Sequence, residues 1–146
     1  MPIGKIAIIA SRYHSDICDP MVDAAIERIC AAGYDRSTIS IIRVPGAWEI
    51  PPVTQMMIDH TEFIAAIVFG CVIRGETSHD QHINREVSRA IMEMTIASGK
   101  PIGFGLLTVN DRDQALARAG GNVGNKGEEA ADAVIELLRL YARMSD

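Results

Sequence analysis

Charge of one sign is nowhere concentrated in this sequence. Its 14 basic and 19 acidic residues leave a net charge of -5, and the basic ones are scattered, so it carries no footprint for a nucleic-acid backbone. Aromatic residues are scarce, at 5% of the chain, so each one beside a polar turn stands out. The three cysteines, Cys18, Cys30 and Cys71, are odd in number and lack a CxxC spacing. That argues against a disulfide framework and a zinc ribbon, and points to buried free thiols. The longest apolar run falls far short of a bilayer span, and the opening MPIGKIAIIA lacks the apolar core and cleavage site of a secretory signal. No membrane contact is expected, and the cytoplasm is the expected location. Chemical signatures are missing as well. The absence of GxGxxG after the first apolar run argues against a dinucleotide-binding domain, and the absence of GxxxxGK[ST] against a P-loop. A receiver domain would need clustered acids where Ser11-Arg12 stand, and there is no GxSxG nucleophile elbow.

What is present is a globular composition, 48% hydrophobic and 23% charged over 146 residues, which predicts one domain spanning 1–146. The chain is organised around residues 64–98, IAAIVFGCVIRGETSHDQHINREVSRAIMEMTIAS. An apolar run through Val72-Ile73 predicts a buried strand, and Arg74-Gly75 a tight turn. Ile83, Val87, Ile91 and Met94 then recur at helical spacing on one face. The hinge between strand and helix collects the first free N-H groups of the helix, which suit a phosphate or a developing oxyanion. His79 lies in that first turn. Simple capping of the helix by Thr77 or Ser78 is the competing account of the same residues.

Three further units repeat this logic. Lys5 to Ala10 predicts a strand, Ser11 to His14 a loop, and Asp19-Pro20 a helix start that runs to a stop at Gly33. Ser40 to Val44 predicts a second strand and Val53 to Ile58 a helix. They are joined by a stiff, proline-rich connection, 45–52, which carries Trp48 and Glu49. There the backbone of Ala47 to Glu49 is the better candidate for ligand contact, with the Trp48 side chain assigned to the core or an interface. Ile102 to Thr108 predicts a fourth strand with Phe104 between two glycines. A short helix capped by Asp111, a glycine-rich break over 120–127 and a helix over Glu128 to Met144 complete the chain. Strands alternating with helices at this spacing predict an α/β fold with a four-stranded parallel sheet and helices on both faces. Ligands of such sheets bind outside the carboxyl ends of the strands.

A histidine at a helix start can both take and give a proton near neutrality. An anion anchor would accompany it, and Arg118 and Lys126 are candidates, each also readable as a surface cation near helix-terminal carbonyls. His79 and His82 could be imagined as metal ligands, but HDQH lacks the glutamate of HExxH and no third ligand is evident. His14 and His60 read as loop or surface residues.

The segments VPGAWEIP (44–51), GCVIRGETSHDQHIN (70–84), PIGFGLLTVND (101–111), QALARAG (114–120) and GNKGEEAA (124–131) together resemble the lumazine synthase family of riboflavin biosynthesis. The resemblance covers nearly the whole chain, in order. It implies a flavodoxin-like three-layer domain. It also implies the condensation of 5-amino-6-(D-ribitylamino)uracil with 3,4-dihydroxy-2-butanone 4-phosphate, releasing phosphate and water, with no metal or organic cofactor. Carried over by position, His79 is the implied proton donor. Tyr13 is the implied stacking aromatic, Ala47, Trp48 and Glu49 the ribityl-binding segment, and Cys71, Val72 and Ile73 the uracil-binding strand end. Glu76, Thr77 and Arg118 are the implied phosphate site, with Lys126 and Glu129 as supporting charges. Phe104 is implied to complete the pyrimidine pocket of a neighbouring subunit.

The resemblance also implies self-association into pentamers, with a 60-subunit shell and binding of riboflavin synthase as further steps that the residues leave open. An alternative within the fold is a flavin- or lumazine-binding or shell protein without turnover. Three departures from the family pattern stand out: Tyr13 in place of Phe or Trp, Glu76 in place of a small residue, and a first strand that begins only a few residues into the chain. The last is expected to leave largely absent the N-terminal strand that many members add to a neighbour's sheet. The break GGNVGNKG, 120–127, carries no insertion and is expected to permit twelve pentamers to close.

Overall fold

Isoleucine and alanine dominate the first strand, β1 (Lys5–Ser11), and every residue from Ile6 to Ser11 is buried. Burial on both faces is the mark of an interior strand of a parallel sheet, and β1 indeed pairs in parallel with β2 (Ile39–Val44) on one side and β3 (Phe63–Ile73) on the other. β4 (Ile102–Val109) adds to the far side of β3, giving the order β2-β1-β3-β4. The computed structural model describes residues 2–145.

Among the described residues, five α-helices sandwich this sheet. α1 (Ser15–Ala31) and α5 (Lys126–Met144) cover one face, with the short α4 (Arg112–Arg118) beside them. α2 (Ile50–Ile58) and α3 (His79–Ser98) cover the other. The strand period of two sorts the interior side chains between the layers. Ile6, Ile8, Ile67 and Phe69 point toward α1 and α5, and Ala7, Ile9, Ala66 and Val68 toward α2 and α3. Each fully buried isoleucine contributes about 1.5–3 kcal/mol relative to exposure. The architecture is the α/β three-layer fold expected from the alternation.

The differences lie in the connections. α1 begins at Ser15 rather than after Asp19, so Pro20 is inside the helix. Asp19 forms no cap; its carboxylate pairs with Arg43 at 2.7 Å. The helix is instead entered through His14, a left-handed residue with φ 61° whose carbonyl accepts the Ile17 and Cys18 N-H groups at 3.0 Å. The stiff connection after β2 is a 3-10 turn, Ala47–Glu49, that runs straight into α2, with Pro51 and Pro52 in the first turn, where a missing N-H costs nothing. The glycine-rich break is a small antiparallel hairpin, β5 (Ala119–Gly121) with β6 (Gly124–Asn125), and Asn125 Oδ1 caps α5 by accepting from Gly127 N-H at 2.7 Å. Phe69, near the carboxyl end of β3, is fully buried beneath α1 and α5. Among the described residues, no helix is long and apolar enough to cross a membrane.

Candidate active site

The carboxyl ends of β1, β2 and β3 surround a cavity of about 640 Å³. The strand order reverses direction of travel between β1 and β3, which is where an open parallel sheet leaves a crevice. Tyr13, Ala47, Trp48, Glu49, Cys71, Val72, Ile73, Thr77 and His79 all line it, so the structure brings together nine of the residues singled out from sequence. Gly75 faces it as well, while Glu76, between Gly75 and Thr77, is exposed outside the lining.

Backbone ties fix the rim. Arg12 N-H donates to the Val44 carbonyl at 2.7 Å and Tyr13 N-H to the Pro45 carbonyl at 3.1 Å, lashing the end of β1 to the end of β2. Ser11 Oγ donates to the Tyr13 carbonyl at 3.2 Å. The Tyr13 ring is thereby left 69% exposed on the cavity edge. Glu49 Oε1 accepts the Gly46 N-H at 3.0 Å, which holds the 3-10 turn closed over the second side. On the third side Thr77 Oγ1 accepts the His79 N-H at 3.3 Å, and Ser78 O accepts from Gln81 and His82. A side-chain tie at the helix start and an exposed imidazole therefore coexist: Thr77 serves the helix, and the His79 ring makes no hydrogen bond among the described residues.

Chemistry differs sharply between the titratable groups here. Burial pushes the Cys71 thiol up to about 12, with the nearby Cys18 adding to the rise, so Cys71 is a wall of the cavity and not a nucleophile. Burial and, next, the Arg112 guanidinium hold the His14 imidazole below its ordinary value. Among the described residues, no three of His, Cys, Asp and Glu converge in a way that could hold a metal ion.

A second cleft of about 350 Å³ opens at the end of the edge strand β4, lined by Arg118, Lys126 and Glu129 with Leu107, Val109 and Val123. Arg118 Nη1 donates to the Gln114 carbonyl at 3.1 Å and remains exposed; Lys126 and Glu129 stand 3.9 Å apart. Phe104 lines neither space. It sits half-buried in the middle of β4 opposite Val68, on the α2 and α3 side. Within one chain the structure thus keeps Arg118, Lys126, Glu129 and Phe104 away from His79.

His14, Gly46, Gly75, Asp80 and Ile83 also line the cavity, and sequence reasoning did not assign any of them individually to ligand contact. For His14 no pattern would have shown it, because its position depends on a left-handed backbone that is expensive for a side-chain-bearing residue, on the order of 1 kcal/mol. Asp80 was legible only as a neighbour of His79.

Comparison with known proteins adds an independent line. A family model described as 6,7-dimethyl-8-ribityllumazine synthase matches residues 4–142. A curated relative of that name from Rhodopirellula baltica is 54% identical over 99% of this chain and 93% of its own length. Relatives of the same name from Campylobacter curvus and Nitratidesulfovibrio vulgaris (strain DP4) are 41% and 39% identical, each over 96% of this chain and 90% of theirs.

Proposed function

The chain belongs to the 6,7-dimethyl-8-ribityllumazine synthase family, and from that premise we propose how its own residues divide the work. It is a transferase of riboflavin biosynthesis that condenses 5-amino-6-(D-ribitylamino)uracil with 3,4-dihydroxy-2-butanone 4-phosphate. The pyrimidine amine attacks the ketone to give an imine, phosphate leaves, and ring closure with loss of water gives the lumazine. Such a reaction asks a protein to hold two partners together, move protons and grip a dianion.

In the proposed division, Tyr13 stacks on the pyrimidine, the backbone of Ala47 to Glu49 with Trp48 at the rim binds the ribityl chain, and Cys71 to Ile73 meet the uracil edge. His79 carries the proton. The phosphate lies at the start of α3, a 20-residue helix whose first N-H groups favour an anion, with Thr77 and the Glu76 backbone beside it. Arg118 supplies the guanidinium fork, supported by Lys126 and Glu129, and Phe104 closes the pyrimidine pocket. The observation that carries this reading is that one cavity gathers Tyr13, the 47–49 turn, the 71–73 strand end and His79.

Because Arg118, Lys126, Glu129 and Phe104 stand apart from that cavity in the same chain, they are proposed to serve the cavity of a neighbouring subunit. Pentamers are the proposed unit. Exposed apolar side chains support a subunit contact: Trp48, 55% exposed on the cavity rim, and Met56, Met92 and Ile96 on α2 and α3. A cytoplasmic setting completes the proposal. Mixing the two substrates with the protein and following lumazine absorbance and fluorescence tests the reaction. Sedimentation at micromolar protein tests the assembly and separates a pentamer from a 60-subunit shell; a monomer that still makes lumazine would sink the shared site.

A further inference from the structure

His14 is the single non-glycine residue with a positive φ among the described residues. That conformation sets its half-buried imidazole on the wall of the cavity that also holds His79 and Glu49. The ring is braced by Tyr13, with ring centroids 4.4 Å apart and planes inclined at 60°. Its own carbonyl is occupied by the first turn of α1, so the backbone cannot swing away without unravelling that turn. A residue strained into place, braced by the proposed stacking aromatic and facing a cavity is a candidate for a role of its own side chain.

We propose that His14 contacts the substrate, hydrogen-bonding the polar edge of the pyrimidine that Tyr13 stacks upon, and so helps to set specificity for that heterocycle. The inference rests on the functional reading above and adds a residue to it. A neutral imidazole offers one donor and one acceptor, which complements the alternating N-H and C=O groups of a uracil-type ring; an imidazolium offers donors alone. The surroundings favour the neutral form. Burial and, next, Arg112 on α4, itself paired with Asp16, hold the imidazole below its ordinary value; the other titratable groups facing the same cavity are Glu49, His79 and Asp80.

His14→Gly tests this without disturbing the backbone, since glycine takes the left-handed conformation freely. The variant is expected to keep its thermal midpoint and its KM for the sugar phosphate, while KM for the pyrimidine rises roughly 10-fold. His14→Asn, which tolerates the same backbone and restores a donor and an acceptor, is expected to recover most of the loss. In the wild type, pyrimidine affinity measured by calorimetry should fall as pH drops and the imidazole protonates. The part of that fall owed to His14 should vanish in both variants. An active wild type whose His14→Gly variant binds the pyrimidine equally well, or loses both substrates alike, overturns the contact alone. A wild type that makes no lumazine overturns the functional reading and the contact with it.

Discussion

Replacing Gly127 with alanine adds a single methyl group where two helices have no room for it. Gly127 lies in the first turn of α5, buried against α1. A Cβ built there would stand 2.6 Å from the carbonyl carbon of Met21 and 2.7 Å from its Cα. Both obstacles are backbone, so no side-chain rotation relieves them, and α5 must withdraw from α1 by a fraction of an ångström or more. Overpacking of this kind costs about 1–3 kcal/mol, and an obstacle of main chain places it at the upper end. Alanine's better helix propensity offsets about 1 kcal/mol, leaving a net loss of about 2 kcal/mol. For a chain of this size that lowers the thermal midpoint by about 4–8 °C. Scanning calorimetry at matched protein concentration reads it, because self-association would otherwise shift the midpoint by mass action. Glu136→Ala, an exposed site on the same helix, serves as the control and should move stability by less than about 0.5 kcal/mol. A Gly127→Ala midpoint within a degree of wild type would show that the helices are not in backbone contact, and the reasoning would fail.

Four other outcomes follow from the structure. His79→Ala should lower turnover by about 10²-fold with the circular dichroism spectrum unchanged, and an equally folded variant at full turnover would remove the proton-carrying role. Arg118→Ala should chiefly raise KM for the sugar phosphate, and an equal loss for both substrates would mark a structural defect instead. The thiols should resist modification at pH 7.5: Cys18 and Cys71 are buried, and rapid labelling in the native state should be confined to the half-buried Cys30. For Cys71 the sign is set by a folded-state value of about 12 against 9.0 for a free thiol. Its contribution to stability is therefore whole below pH 9 and is lost as pH rises toward 12, so Cys71→Ala should flatten the alkaline limb of the stability profile.

The sheet was legible because β1 and β3 are buried on both faces and so read as unbroken apolar runs. Helix ends were legible where glycine marks them, as at Gly33 and Gly99, with φ of 110° and 69°. The start of α1 was not, since its entry residue His14 makes no side-chain cap and Asp19-Pro20 imitates one. The β5-β6 hairpin escaped because glycine carries no periodic signal and the strands are held by the turn itself. At the site, the segments contributed by strand ends were visible in order along the chain, whereas His14 and the separation of Arg118 from His79 depend on how distant segments meet. Phe69 was placed by the strand period alone, which turns it inward beneath α1 and α5.

The placement of His79 and Arg118 in two clefts of one chain has a genetic consequence. On the shared-site reading, a defect in either residue damages a different partner's half of each centre. Two impaired alleles, His79→Ala and Arg118→Ala, would then complement each other when co-expressed at sugar-phosphate concentrations below the raised KM. In a randomly mixed ring about a quarter of the subunit contacts would join an intact His79 to an intact Arg118. An enzyme with self-contained centres would leave the two alleles as impaired together as they are apart.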